Sequence, residues 1–108
     1  MNHTAVAIGI NGFGRIGRLV MRAAAGNPDI RIVRINDPAG DAATLAHLLN
    51  FDSVHGRWHR EVAAEDDALM LDGQRIAVSH HKTIAETDWS NCDVVIEASG
   101  QMKTTAVL

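Results

Sequence analysis

An apolar run, Ala5-Val6-Ala7-Ile8-Gly9-Ile10, leads into Asn11-Gly12-Phe13-Gly14-Arg15-Ile16-Gly17. The three glycines are spaced G-x-G-x-x-G, and an acidic residue, Asp37, follows 20 positions after Gly17. No other feature constrains the fold as much. A short, wholly apolar run ended by Asn-Gly reads as a buried parallel strand. Gly12 permits a tight strand-to-helix turn, Gly14 presents bare backbone to a pyrophosphate, and Gly17 allows close helix–strand packing. The first turn of the following helix offers unpaired N–H groups and a partial positive charge.

The helix is expected from about Gly14 to Ala25, with Ile16, Leu19, Val20, Ala23 and Ala24 on one apolar face. Gly26-Asn27-Pro28 ends it. Ile30–Ile35 is a second strand closed by Asn36-Asp37-Pro38, which completes a βαβ unit with a right-handed crossover. Asp41 is an N-cap candidate for a second helix over Ala42–Leu49, with Leu45, Leu48 and Leu49 inward. Asn50–Trp58 reads as irregular. Arg60–Ala64, Ala68–Leu71 and Gln74–Ser79 read as short antiparallel strands, with turns at Asp66-Asp67 and Asp72-Gly73. Thr83–Asn91 is polar and reads as a short helical turn around Trp89. Asp93–Glu97 returns to the buried-strand pattern, Ala98-Ser99-Gly100 ends it, and Thr104–Leu108 is expected to begin a helix. The fold class is therefore α/β: a Rossmann-type doubly wound, mainly parallel sheet with a short antiparallel hairpin insertion.

In such sheets ligands sit beyond the carboxyl ends of the strands, where strand order reverses. Asn11–Gly14, Asn36-Asp37 and Ala98–Gly100 should converge on one crevice. Asp37 suits the adenosine ribose, because a carboxylate accepts from its hydroxyls and repels a 2′-phosphate, favouring NAD over NADP. Asn11 and Asn36 either hold their own turns or touch ligand; Ser99 and Gly100 either line the cofactor path or end the strand. At Arg15 the backbone N–H is the useful group, while Arg18 and Arg22 are expected in solvent or at an interface. Cys92 lies at the amino end of its strand, away from the crevice, and reads as structural. His55, His59, His80 and His81 lack a completing thiol or carboxylate cluster, so no metal site is expected.

The remaining bounds are compositional. A net charge of −3 with both signs interspersed argues against nucleic acid or anionic membranes as partners. A single cysteine fits a reducing compartment. The N-terminus lacks a basic leader pattern and no apolar run reaches membrane-spanning length, so a cytoplasmic location is expected.

Ile10–Arg18 resembles the N-terminal signature of phosphorylating glyceraldehyde-3-phosphate dehydrogenases. The resemblance continues through Ile35-Asn36-Asp37-Pro38, Phe51-Asp52-Ser53-Val54-His55-Gly56-Arg57 and Asp93-Val94-Val95-Ile96-Glu97-Ala98-Ser99-Gly100. It implies NAD as cofactor, with contacts from Asn11, Gly12, Phe13, Gly14, Arg15 and Ile16, with Asp37 on the adenosine ribose, and with Asn36, Ser99 and Gly100 along the dinucleotide. Lys82 stands where the family often has an arginine near the adenine, and supplies charge without a flat stacking surface. The segment Ala98-Ser99-Gly100 with Met102 stands where the family has Ser-Thr-Gly followed by an aromatic residue.

The resemblance further implies that residues 1–108 are the NAD-binding domain without its last strands. The catalytic domain, with its nucleophilic cysteine and histidine base, is absent, so no catalytic residue is expected here and the 108-residue chain alone should be inactive. The parent enzyme would oxidise a phosphorylated aldehyde to an acyl phosphate as a homotetramer, and only the full-length parent would bind that small-molecule substrate. Erythrose-4-phosphate dehydrogenases and arsenate-associated siblings share the same blocks. A non-catalytic fragment without cofactor function is the reading from another class.

Overall fold

The computed structural model describes residues 5–52, 56–58, 60–99 and 105–107. Strand β1 (Val6–Asn11), helix α1 (Arg15–Ala24) and strand β2 (Ile30–Asn36) form the expected βαβ unit. The two strands run parallel, from Val6 opposite Ile30 to Asn11 opposite Asn36, with one register shift after Ile8. Helix α2 (Ala42–Asn50) starts at Asp41, whose Oδ1 accepts the Thr44 N–H at 2.9 Å, as expected of an N-cap. The stretch expected to be irregular instead holds a small antiparallel pair, β3 (Phe51–Asp52) and β4 (Gly56–Arg57).

Strands β5 (Val62–Glu65), β6 (Ala68–Leu71) and β7 (Gln74–Ser79) form an antiparallel meander. Asp72 and Gly73 both have positive φ, 50° and 80°, as a two-residue hairpin turn of the favoured twist requires. β7 then runs parallel beside β2, so the meander extends the main sheet. After a 3-10 turn at Ile84–Glu86, β8 (Val94–Glu97) pairs parallel with β1 on its other side. The strand order is β5-β6-β7-β2-β1-β8-β9, a Rossmann-type α/β sheet with a parallel centre and antiparallel edges. Among the described residues, no helix is long and apolar enough to cross a membrane.

Strand β9 (Thr105–Val107) replaces the helix expected near the C-terminus. It pairs antiparallel with β8, Thr105 opposite Glu97. The backbone of β8 offers a row of unpaired groups, and pairing to it satisfies a short β-branched segment better than an isolated helical turn would.

Both helices pack into one apolar cluster on one face of the sheet. Ile10, Ile35, Leu49, Leu69 and Ile76 are at most 1 % exposed there. The inward face of α1 is Gly17, Met21 and Ala24, with Val20 packed beside it; of the expected stripe Ala24 and Val20 hold, while Ile16 and Leu19 are each 45 % exposed and Ala23 is exposed. The reason is Gly17. A Cβ at Gly17 would collide with the Gly12 carbonyl oxygen and lie 3.3 Å from Ile10 Cγ2, so the glycine must face the strand. That contact sets the rotation of the helix, and the larger apolar residues follow from it. In α2, Leu45 and Leu49 are buried as expected but Leu48 is 36 % exposed, with Ala42 and Ala46 taking the inward positions.

On the opposite face the indole of Trp89 lies against Gly9. A Cβ at Gly9 would be 2.6 Å from two indole carbons and 2.9 Å from Cys92 Sγ. The indole N–H donates to the Ile84 carbonyl at 2.8 Å, which anchors the 3-10 segment. At the amino end of the sheet, the Asp93 N–H donates to the Ala7 carbonyl at 2.7 Å and the Ala7 N–H donates to Asp93 Oδ2 at 2.8 Å.

Candidate dinucleotide-binding site

The carboxyl ends of β1, β2 and β8 meet around an open crevice of about 260 Å³ lined by Asn11, Gly12, Gly14, Asp37, Lys82 and Ser99, with Pro38, Ala39 and Ala98. The three glycines of the motif have three different environments. Gly12 has φ +94°, and a Cβ there would lie 2.5 Å from the Ser99 nitrogen, closer still to Ser99 Cα, and 2.7 Å from the Ala98 carbonyl carbon. Its role is to let the turn pass directly under the end of β8. Gly17 seats the helix. Gly14 has no heavy atom within 4 Å of where a Cβ would be, so the space in front of it is open. Gly14 is also the N-cap of α1 and makes no side-chain cap hydrogen bond, and no acidic residue occupies the first turn. The positive end of the helix is therefore presented to the crevice with no side-chain cap and no acidic residue in its own first turn. A Cβ-free cradle before an uncapped helix end fits a pyrophosphate.

Asp37 ties the glycine turn to β2. Its Oδ2 accepts the Phe13 N–H at 2.7 Å, and its Oδ1 accepts the Ala39 N–H at 2.8 Å, an Asx turn. Its own N–H donates to the Ser79 carbonyl at 2.9 Å. The carboxylate thus stands beside the crevice with its oxygens oriented by backbone donors, and each oxygen retains lone-pair capacity for a further donor.

Phe13, one of the expected site residues, contributes only its backbone. Its ring is 1 % exposed and belongs to the core cluster. Arg15 and Ile16 stand in the exposed first turn of α1. Lys82 is exposed at the rim. Gly100 lies outside the described residues, as do His55, His59 and Met102.

Asn11 and Asn36 prove to be parts of one buried relay that also includes residues the sequence reading passed over. Glu97 Oε2 accepts from Asn11 Nδ2 at 2.9 Å. Asn11 Oδ1 accepts from Asn36 Nδ2 at 2.9 Å. Asn36 Oδ1 in turn accepts from the Ser79 hydroxyl and the His81 N–H, both at 2.9 Å. At the other end, Glu97 Oε1 accepts the Ser99 N–H at 2.7 Å. A carboxylate only accepts and a backbone N–H only donates, so the two ends of the relay independently demand the same orientation of both amides. Asn36 is 1 %, Glu97 2 % and Asn11 5 % exposed. Burial works to raise the Glu97 pKa, but the hydrogen bonds from Ser99 and Asn11 outweigh it and hold the carboxyl below its ordinary range. The signal for Glu97 was a carboxylate at the end of an apolar strand, opposite an Asn-Gly turn.

Arg18 and Arg22 are not free in solvent. Arg18 Nη1 donates to the Phe13 carbonyl at 3.1 Å, bracing the glycine turn from below. Arg22 Nη2 donates to the Leu49 carbonyl at 2.6 Å, and its guanidinium lies 5.5 Å from the Trp58 ring centre. Cys92 is half-buried at the amino end of β8, opposite the crevice, and burial raises its thiol pKa. Among the described residues no group of three histidine, cysteine or carboxylate side chains is placed to hold a metal.

Residues 6–105 match the family described as glyceraldehyde 3-phosphate dehydrogenase, NAD binding domain. Among similar proteins, glyceraldehyde-3-phosphate dehydrogenase 3 of Nostoc sp. is 46% identical over 105 residues, covering 95% of this chain and 31% of that protein. The Bacteroides fragilis glyceraldehyde-3-phosphate dehydrogenase is 50% identical over 99 residues, or 88% of this chain and 29% of the relative. A cytosolic glyceraldehyde-3-phosphate dehydrogenase of Chondrus crispus is 46% identical over 99 residues, 90% of this chain and 30% of the relative. The chain therefore spans about three-tenths of the length of the relatives it matches. An uncapped, glycine-lined helix end facing an oriented carboxylate suits NAD, and with the match over nearly its whole length the chain belongs to the NAD-binding domain family of glyceraldehyde-3-phosphate dehydrogenases.

Proposed function

We propose that the chain holds NAD along the carboxyl edge of β2, β1 and β8, as the cofactor-binding part of a phosphorylating aldehyde dehydrogenase. The observation that supports this reading is the single crevice onto which Gly12, Gly14, Asp37, Lys82 and Ser99 converge. Asp37 orients the adenosine ribose. The backbone N–H groups of Arg15 and Ile16 and the positive end of α1 meet the pyrophosphate. Asn11, Ser99 and Gly100 guide the dinucleotide across β1, with Asn36 holding Asn11 from beneath, and Lys82 lends charge near the adenine. Bound NAD supplies the hydride acceptor; these residues supply affinity and register.

The chemistry on the aldehyde belongs to the rest of a longer protein. Cys92, the single thiol, is half-buried with a raised pKa at the wrong end of the sheet. The substrate in this reading is glyceraldehyde 3-phosphate, the aldehyde in the names of the relatives, and the working assembly is a homotetramer. Nothing in the crevice separates this from oxidation of erythrose 4-phosphate, because the crevice grips only the dinucleotide. A cytosolic location is part of the same reading, as in the name of the Chondrus crispus relative.

The test is thermal unfolding with millimolar NAD, and with NADP as control. A ligand bound only by the folded state at a hundredfold excess over its Kd adds about 2.7 kcal/mol. NAD should raise the Tm and NADP should not, since a 2′-phosphate would meet the Asp37 carboxylate. A cooperative transition that NAD leaves unmoved would refute the reading and favour a fragment without cofactor function. The chain alone should form no NADH from glyceraldehyde 3-phosphate and inorganic phosphate; phosphate-dependent NADH formation would overturn the division of labour.

A further inference from the structure

The carboxylate of Glu97 is 2 % exposed, and its described partners, the Asn11 amide and the Ser99 N–H, are both neutral. The chain thus keeps a negative charge, with no adjacent cation among the described residues, just beneath the crevice. A binding site for a dinucleotide, itself an anion, gains nothing from such a charge on average. The position of the charge along the site gives it a use.

Asp37 ends β2, which lies on one side of β1, and Glu97 ends β8, which lies on the other. With the adenosine ribose at Asp37 and the pyrophosphate at the start of α1, the second nucleoside must extend across β1 toward β8. That second nucleoside carries the nicotinamide, the part of the molecule whose charge differs between its two redox forms. The oxidised ring is a cation and the reduced ring is neutral.

We propose that Glu97 is a specificity-determining residue that biases the crevice toward the oxidised cofactor, its buried carboxylate attracting the cationic nicotinamide from beneath without touching it. The proposal rests on the NAD-binding reading above. The relay strengthens the effect in two ways. Water is excluded from around the carboxylate, so its field toward the crevice is weakly screened. The Asn11 and Asn36 amides are locked by the relay, so they cannot reorient to cancel a change in the ligand's charge. The other charged groups that line the crevice, Asp37 and Lys82, stand on the adenosine side, where the two redox forms are identical.

The experiment compares the Kd of NAD+ with that of NADH, by titration calorimetry, for the unaltered protein, Glu97→Gln and Asp37→Asn. Glu97→Gln should move the ratio of the two constants about sixfold in favour of NADH, the size expected of one unit charge acting over ~10 Å at an effective dielectric constant of ~30. Asp37→Asn should weaken both forms alike and leave the ratio unchanged, as should any purely structural loosening. If Glu97→Gln does not fold, the Glu97 carboxyl is titrated by 13C NMR in the unaltered protein saturated with each form. By reciprocity its midpoint should lie lower with NAD+ bound than with NADH bound. An unchanged ratio, or coincident midpoints, overturns the role of Glu97. Failure of both dinucleotides to bind the unaltered protein overturns the binding reading instead.

Discussion

Gly12 and Gly14 are two residues apart and belong to the same motif, yet their surroundings demand opposite consequences from the same substitution. Gly12→Ala places a methyl group against the Ser99 backbone nitrogen and Cα and the Ala98 carbonyl carbon, none of which is the mobile end of a side chain. It also holds an L-residue at φ +94°. The left-handed conformation costs about 1–2 kcal/mol, and forcing a methyl into a filled backbone contact adds about 1–3 kcal/mol. The expected loss is therefore about 2–5 kcal/mol, a large share of the ~5–15 kcal/mol that keeps a typical domain folded. Gly14→Ala meets nothing within 4 Å and has φ −78°, which alanine adopts freely. Its effect on stability should stay within about 0.5 kcal/mol, the usual range for exposed sites. Its effect on NAD should be large, because the added methyl occupies the pyrophosphate's approach; a tenfold weakening corresponds to about 1.4 kcal/mol. Urea unfolding without ligand, followed by NAD titration of whichever variants fold, separates the two. Gly12→Ala should lower the urea midpoint with an unchanged slope, while Gly14→Ala should keep the midpoint and lose affinity. Equal midpoints for the two variants, or an affinity loss confined to Gly12→Ala, would refute the division of roles drawn from the two environments.

Three further perturbations probe the scaffold. Leu49→Ala removes a side chain that is 0 % exposed at the centre of the core, and should cost about 2–5 kcal/mol in chemical denaturation. Gly9→Ala should push the indole of Trp89 off the sheet, costing about 1–3 kcal/mol and shifting the tryptophan emission; an unchanged spectrum would contradict the contact. Glu97 titrates below its unfolded value, so its stabilising contribution is fully present above the unfolded pKa and is lost as pH falls through the folded one. The urea midpoint of the unaltered protein should fall on acidification below the ordinary glutamate range more steeply than that of Glu97→Gln.

Much of this structure is legible locally. β1, β2 and β8 are short apolar runs with polar ends, and the Asp72-Gly73 hairpin and the Asp41 cap are decided by residues within a few positions of one another. What is not legible depends on contacts distant in sequence. The rotation of α1 follows from a glycine meeting a carbonyl, and apolar periodicity weights Ile16 and Leu19 heavily while giving that glycine no weight. β9 exists because β8 has an edge to offer, which a pattern of five residues cannot disclose. The same holds for the site. The motif glycines and Asp37 announce themselves by spacing, but Glu97 acquires its meaning from Asn11, 86 positions away. Without that partner it reads as an ordinary strand-ending carboxylate.

β1 is the seam between two very different stretches of chain. Its pairing with β2 closes a loop of about two dozen residues, and its pairing with β8 closes one more than three times as long. The longer closure surrenders more chain entropy before any contact rewards it. The βαβ unit and the meander can therefore organise first, with β8 docking onto a preformed β1. The crevice needs Ser99 and Ala98 from the far side of that late closure, so it comes into being only as folding finishes. A ligand that requires both walls has nothing to hold on the way up. Binding should accordingly leave the folding rate alone and appear almost wholly as slower unfolding, so that the bound dinucleotide acts as a latch on a finished structure rather than a template for an emerging one.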